Sequence, residues 1–309
     1  MKSTATANPV MQGYAVKFLQ DPSQYVGRRL FPQFNTGEQS ANYYVLDQAN
    51  ALNFPTNIQR APGSAYTRSK MTISDDTFAT REYGHEESVD DRERKKYAIA
   101  INADIAAVRR ATAIILFNQE LRIKNKATGG SVPTATPSTK WNRALAGDPI
   151  SDVDAAKTAI HKGCGMEANT MLVNRDVFNE LKEHPKVLDK IKYSERGIVT
   201  ADILAAVFGV QQFLIAGVLY NSANEGQTLS AAYLWSDSVI LAHVETAQDL
   251  QAPNFGRCFA WSGETGPDGV LVESYRDDSI RSDVHRVRQD LDEKLVGAAA
   301  GYHLSDVLT

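Results

Sequence analysis

The side chains that could carry chemistry do not converge along this chain. Six histidines stand at positions 85, 161, 184, 243, 285 and 303. None belongs to an H-E-x-x-H pair, which would set two ligands on one helix face, and none has the Cys–His spacing of a zinc site. The two cysteines, Cys164 and Cys258, are far apart and outside any C-x-x-C. A disulfide framework or a zinc centre is therefore not expected, and a reducing cytoplasm suits the chain. A nucleophilic Cys164 would need a nearby base and oxyanion donors. Its neighbours supply neither, so it reads as a structural thiol.

Gly163-Cys164-Gly165-Met166-Glu167-Ala168 fits G-x-G-x-x-A. A dinucleotide fingerprint needs a strand before it and a helix after it. Here a helical pattern precedes and a strand pattern follows, so the glycines read as a helix stop. There is no G-x-x-x-x-G-K-[ST] phosphate loop and no G-x-S-x-G nucleophile elbow. The pairs Asp75–Asp76 and Asp277–Asp278 lack further ligands at calcium-loop spacing and read as turn caps. No catalytic, cofactor-binding or metal residue is assigned, no cofactor is implied, and an enzyme is not expected.

Composition narrows the class without naming it. The 309 residues are 43% hydrophobic and 23% charged, which is ample for a large core. The formal net charge of −4 gives no basic surface that would attract nucleic acid. The densest apolar run, Ala111 to Phe117, is too short to span a bilayer, and the first residues lack the apolar core of a secretory signal. No membrane partner is expected.

The elements that would position such residues can be read in order. Residues 1–35 are net positive, with Lys2, Lys17, Arg28 and Arg29 against Asp21. Their apolar Val26, Leu30, Phe31 and Phe34 need a docking surface; the residues themselves leave open a poorly ordered terminus and an arm that orders only against neighbouring chains. Residues 36–85 hold strand-like pieces at Tyr43–Leu46, Arg68–Ile73 and Thr77–Tyr83, a long ribbon that would be marginal by itself. A mixed-charge run from Glu86 follows, with Asp90 as N-cap and Glu93 three residues on. A helix from Asn102 to about Lys126 has no Pro or Gly and spans about 37 Å at 1.5 Å per residue. After a Gly/Pro-rich loop, a helix from Asp152 to Gly163 and a strand at Thr170–Val173 begin an α/β unit. Within it Asn174 caps a helix that Pro185 interrupts, Thr200 caps another, Gly209 ends it, and Phe213–Leu219 is a buried strand. The remainder is β-rich, with strands near Phe255–Trp261, Val270–Tyr275, Asp278–Arg288 and Gly301–Val307. These strands are expected to cover the long helix.

Residues 169–226 carry a resemblance. Asn174-Arg175-Asp176-Val177-Phe178, His184-Pro185, Ile191-Lys192-Tyr193, Arg196-Gly197, Thr200, Phe208-Gly209-Val210 and Tyr220-Asn221-Ser222-Ala223 occur in that order. LWSDSVILAHV at 234–244, PNFGRCFAW at 253–261 and GYHLSDVL at 301–308 continue it. Together these resemble the major capsid proteins of tailed double-stranded DNA phages, whose fold was first described in phage Hong Kong 97. The resemblance covers roughly the C-terminal half.

It implies an α+β, Hong Kong 97-like capsid fold. Residues 1–35 would be the N-terminal arm and 36–85 the extended β-hairpin loop lying over an adjacent subunit. Residues 86–149 and 245–309 would form the peripheral domain with its spine helix at about 102–126, and 150–244 the axial α/β domain. The implied function is structural: self-assembly into an icosahedral head, as pentamers and hexamers, around double-stranded DNA held without sequence-specific contacts. A separate scaffolding protein, a portal and a decoration protein are the implied partners. The implied location is the virion, after synthesis in the bacterial host cytoplasm. The charges of the long-helix start and of Arg276–Arg288 would pair between subunits. An encapsulin-like compartment holding enzyme cargo is the alternative, and an α/β enzyme a distant third.

Overall fold

The computed structural model describes residues 6–7, 25–46, 53–70, 73–97, 102–142, 147–192, 199–248, 253–263 and 269–308. Most of the expected arm, the turn at Gly266-Pro267 and the motif residues Tyr193, Arg196 and Gly197 lie outside them. No helix among the described residues is long and apolar enough to cross a membrane.

The long helix α3 (Ala103–Ala127) packs along the first of two sheets, and Ile123 and Ala127 at its C-terminal end join the core of the second. It begins where Asn102 turns extended and its side chain accepts the Ile105 N–H at 3.2 Å. It is preceded by α2 (Asp91–Tyr97), whose start is capped by Asp90 accepting the Arg92 N–H at 2.7 Å. The first sheet orders as β1 (Thr6–Ala7), β13 (Leu271–Asp277), β14 (Ser282–Leu295), β12 (Gly256–Trp261) and β2 (Gln33–Thr36), with β5 (Arg81–Asp90) also on β14. Val108, Ala111 and Ile115 of α3 pack on Val270, Val272 and Val287 of this sheet.

The second sheet orders as β6 (Thr134–Ala135), β15 (Gly301–Leu304), β11 (Val239–Ala242), β7 (Thr170–Asn174) and β8 (Gln212–Ala216), and β9 (Leu219–Asn221) and β10 (Ala231–Tyr233) form a separate antiparallel pair. Helices α4 (Pro149–Cys164), α5 (Arg175–Glu183), α6 (Pro185–Ile191) and α7 (Ala201–Phe208) share its core. The local chemistry is as the sequence suggests. Asn174 accepts the Val177 N–H at 2.7 Å, Pro185 opens α6, and Gly209 ends α7 in the left-handed region at φ +62°. Thr200 stands at the N-cap of α7, but its side chain makes no capping hydrogen bond.

Three segments depart from expectation. Residues 25–36 do not wait for a neighbouring chain. Helix α1 (Gly27–Leu30) buries Val26, Leu30 and Phe31 in the chain's own core beside Ile123 and Ala127 of α3, and β2 pairs in parallel with β12. The residues that demanded a docking surface find it in the same molecule, Phe31 against Phe255 and Phe34 against Phe259. The final strand β15 does not cover the long helix either: it pairs antiparallel with β11. β11, Val-Ile-Leu-Ala, is buried throughout, and such a strand needs a partner on each edge. β7 supplies one and β15 the other. Finally, residues 53–70 carry no strand, so the weak alternation at Arg68–Ile73 does not specify pairing; the ladder of β3 (Ser40–Leu46) and β4 (Ile73–Ala79) begins only at Ile73.

Candidate functional site

Every described residue from 53 to 70 is exposed. Large apolar side chains stand out on this loop and its strands: Tyr44 is 74% exposed, Phe54 72%, Ile58 75% and Tyr66 71%. Arg60, Arg68 and Lys70 accompany them, and residues 53–70 hold no carboxylate. Arg60 folds back, donating to the Ser64 carbonyl at 2.6 Å with its guanidinium 4.7 Å from the Tyr66 ring centre. This is a cationic, apolar surface that its own chain leaves uncovered, the composition expected of a contact made with another molecule.

The charges around the helix start do the opposite, pairing within the chain. Arg94 bridges Asp104 at 2.8 Å and Asp283 at 2.5 Å. Arg276 grips Asp91 through two nitrogens at 2.7 and 2.9 Å and reaches Asp283 at 3.2 Å. Arg286 pairs with Glu86 at 2.6 Å. β14 pairs with β5 from Ser282–Asp90 to Leu291–Arg81, which sets Arg286 opposite Glu86, and β13–β14 register sets Arg276 opposite Asp283. Their expected role between subunits is therefore replaced by one inside the subunit, clamping α2, α3, β13 and β14 together. Burial pushes Asp104 upward, but hydrogen bonds from His285 and Arg94 outweigh it and hold the carboxyl below its ordinary range.

Register also creates a constellation invisible in sequence. Ser274 lies opposite His285 across β13–β14; its Oγ is 2.9 Å from His285 Nδ1, and His285 Nε2 is 3.1 Å from Asp104. Serine, histidine and aspartate in line are the parts of a hydrolytic triad. Here the aspartate is already committed to Arg94, His285 is buried, and Ser274 sits within a strand paired on both edges. Ser274 thus stands in a strand rather than on a nucleophile turn, and the three read as a hydrogen-bonded strut.

A further group ties three segments at one point. Glu120, on α3, is 2% exposed. Its carboxylate accepts from the Val26 N–H at 3.2 Å, the Gly27 N–H at 2.8 Å and Trp235 Nε1 at 2.7 Å. It thus caps α1 and holds Trp235, which precedes β11, on the long helix. Gly27 is required here, because a Cβ would fall 2.6 Å from Glu120 Oε2. Burial pushes the Glu120 carboxyl up to about 7, against the pull of these three donors and of Arg28. Two residues on, Arg122 forks onto Glu293, itself 2% exposed, at 2.8 to 3.2 Å, and lies 3.7 Å over the Tyr83 ring.

The remaining sequence candidates stay apart. Gly165 is the left-handed C-cap of α4, at φ +71°, with the strand β7 after it, so the G-x-G-x-x-A match is a helix stop. Both cysteines are buried free thiols; burial pushes Cys258 up to about 12. Asp277 accepts from the Ser279 N–H at 2.9 Å as a turn cap, whereas Asp76 accepts from the Tyr43 hydroxyl at 2.7 Å. No three metal-ligating side chains cluster among the described residues.

Comparison with known proteins agrees with this geometry. Residues 119–251 match the family model described as phage major capsid protein E. The chain is 28% identical over 313 residues to the major capsid protein of Burkholderia phage BcepMu, covering 97% of this chain and 96% of that one. A phage-related protein from Bordetella bronchiseptica has the same fold, with a TM-score of 0.72, 24% identity and coverage of 99% and 98%. A virus-like particle from Pyrococcus furiosus gives a TM-score of 0.59 at 9% identity, covering 96% and 98%. Identities this low to solved structures speak for the fold alone, and phage capsid structures at TM-scores of 0.53 to 0.56 share it. The family match over residues 119–251, the relative matched along almost its whole length and the shared architecture make this chain similar to the phage major capsid proteins, with the Hong Kong 97-type fold.

Proposed function

We propose that this chain assembles with itself, as pentamers and hexamers, into the closed icosahedral shell of a phage head and resides in the virion. The observation that carries the assembly mechanism is the uncovered loop. Burying each of its exposed Tyr, Phe and Ile side chains on a neighbour would contribute on the order of 1–2 kcal/mol. A few such contacts, less the ordering of the loop, give an interface weak enough to reverse and correct, which becomes strong when each subunit makes several. The division into arm, extended loop, peripheral domain and axial domain belongs to the same proposal.

The net charge of −4 suits a container whose double-stranded DNA is pumped in without sequence-specific contact. A separate scaffolding protein, a portal and a decoration protein are the partners this reading calls for, and synthesis in the host cytoplasm precedes assembly. The reading assigns no catalysis to the chain. An encapsulin-like compartment shares the fold with the Pyrococcus particle, but no feature of this chain favours enzyme cargo over DNA. Deleting residues 50–70 tests the mechanism: the subunit should remain folded by circular dichroism and form no shells by electron microscopy, and normal shells from the deletion would refute it.

A further inference from the structure

The loop joins the body through a small aromatic cluster separate from the main core. Phe259, on β12 of the first sheet, is fully buried. Phe78 of β4 stacks on it with ring centres 4.3 Å apart and planes 4° from parallel. Tyr43 of β3 lies 5.4 Å away at 35°, and Phe34 of β2 meets it edge-on at 5.6 Å and 66°. One ring thus touches both strands of the hairpin and the segment that leads into it. Two polar contacts lock the same level: Asp292 accepts the Ala79 N–H at 3.1 Å, and the Tyr43 hydroxyl donates to Asp76 at 2.7 Å. Past this level the hairpin turns to solvent, as Tyr44 at 74% and Ile73 at 53% exposed show.

We infer that Phe259 is the positioning residue that fixes the angle at which the extended loop leaves the subunit, so that the loop is aimed as a lever from its base. Leverage makes the base decisive. The β3–β4 ladder has seven residue pairs. Three of them lie beyond Tyr43, at about 3.3 Å per residue an arm of about 10 Å, so an error of about 10° at the aromatic cluster moves the far end of the ladder by about 2 Å. A shift of that size is enough to lose the close packing of an apolar side chain in a pocket on a partner. That the aimed surface meets another subunit rests on the assembly proposal; the aiming itself does not.

The test therefore uses the full-length chain and reads aim without assembly. Spin labels on Ser64→Cys in the loop and Ser279→Cys at the exposed β13–β14 turn report one intramolecular distance, with unlabelled chain added in excess to dilute contacts between copies. The native cysteines are buried and do not compete for label. The expected result is a narrow distance distribution that Phe78→Ala broadens at least twofold while thermal unfolding of the body is retained. Phe78→Ala removes the stack from the loop's side, and Phe259→Leu repeats the test from the body's side if the first variant misfolds. An equally narrow distribution in the variants would show that the ladder and Asp292 suffice, and a broad one in the parent would show that nothing at the base fixes the loop. Either result overturns the inference, and shells that fail to form bear only on the assembly proposal.

Discussion

Replacing Glu120 by Gln should remove a specific piece of the protein's pH dependence. The Glu120 carboxyl titrates near 7 in the fold, raised by burial from 4.5. A carboxyl whose folded pKa is raised contributes stability at low pH that is lost as pH climbs through the folded value. The rise from 4.5 to about 7, at about 1.36 kcal/mol for each tenfold change, bounds the loss at about 3.4 kcal/mol, of which about 2.5 kcal/mol falls between pH 5 and 8. Gln keeps a carbonyl oxygen for Val26, Gly27 or Trp235 and cannot titrate. Guanidinium unfolding of parent and Glu120→Gln at pH 5, 6, 7 and 8 isolates the group, since every other titration cancels in the difference. The parent should lose about 2–3 kcal/mol relative to the variant across that range. A flat difference, or one of opposite sign, would show that the three donors outweigh burial and that the carboxylate is stable as an anion.

Other perturbations follow from the same contacts. Gly27→Ala drives a Cβ to 2.6 Å from Glu120 Oε2 and should cost about 1–3 kcal/mol, seen as a lower melting temperature. Arg122→Ala leaves Glu293 charged and buried, and should cost about 3–5 kcal/mol in denaturant unfolding, more than loss of a surface pair. Replacing Phe54, Ile58 and Tyr66 together by Ser should change unfolding free energy by no more than about 0.5 kcal/mol per site, because they touch little of their own chain, yet abolish shells in sedimentation.

Much of the fold was legible because its local signals are strong. The long helix announces itself by 25 residues without Pro or Gly after a capping asparagine, and the α/β unit by Asn174, Pro185 and Gly209. What stayed hidden is non-local. Nothing near Gly301 says that its strand must flank β11, and nothing near Val26 says that its docking surface is the end of α3. Ser274 and His285 meet only through strand register. Glu120 looks like any solvated glutamate on a helix; the one hint is its place between Leu116 and Ile123 on the buried side. The loop carried the clearest functional signal in sequence, as a ribbon too long and polar to be stable alone. Its strand content was overestimated because alternation of Thr, Ser, Arg and Lys specifies no buried face.

Assembly of this subunit into a closed shell can be observed directly. Negative-stain electron microscopy with size-exclusion chromatography, on the chain expressed alone and with its genomic neighbours, tests it most directly. The account predicts closed icosahedral particles, formed alone or only beside a scaffolding neighbour, with DNA as their contents when the packaging genes are present. A stable monomer or small oligomer under every condition would contradict it.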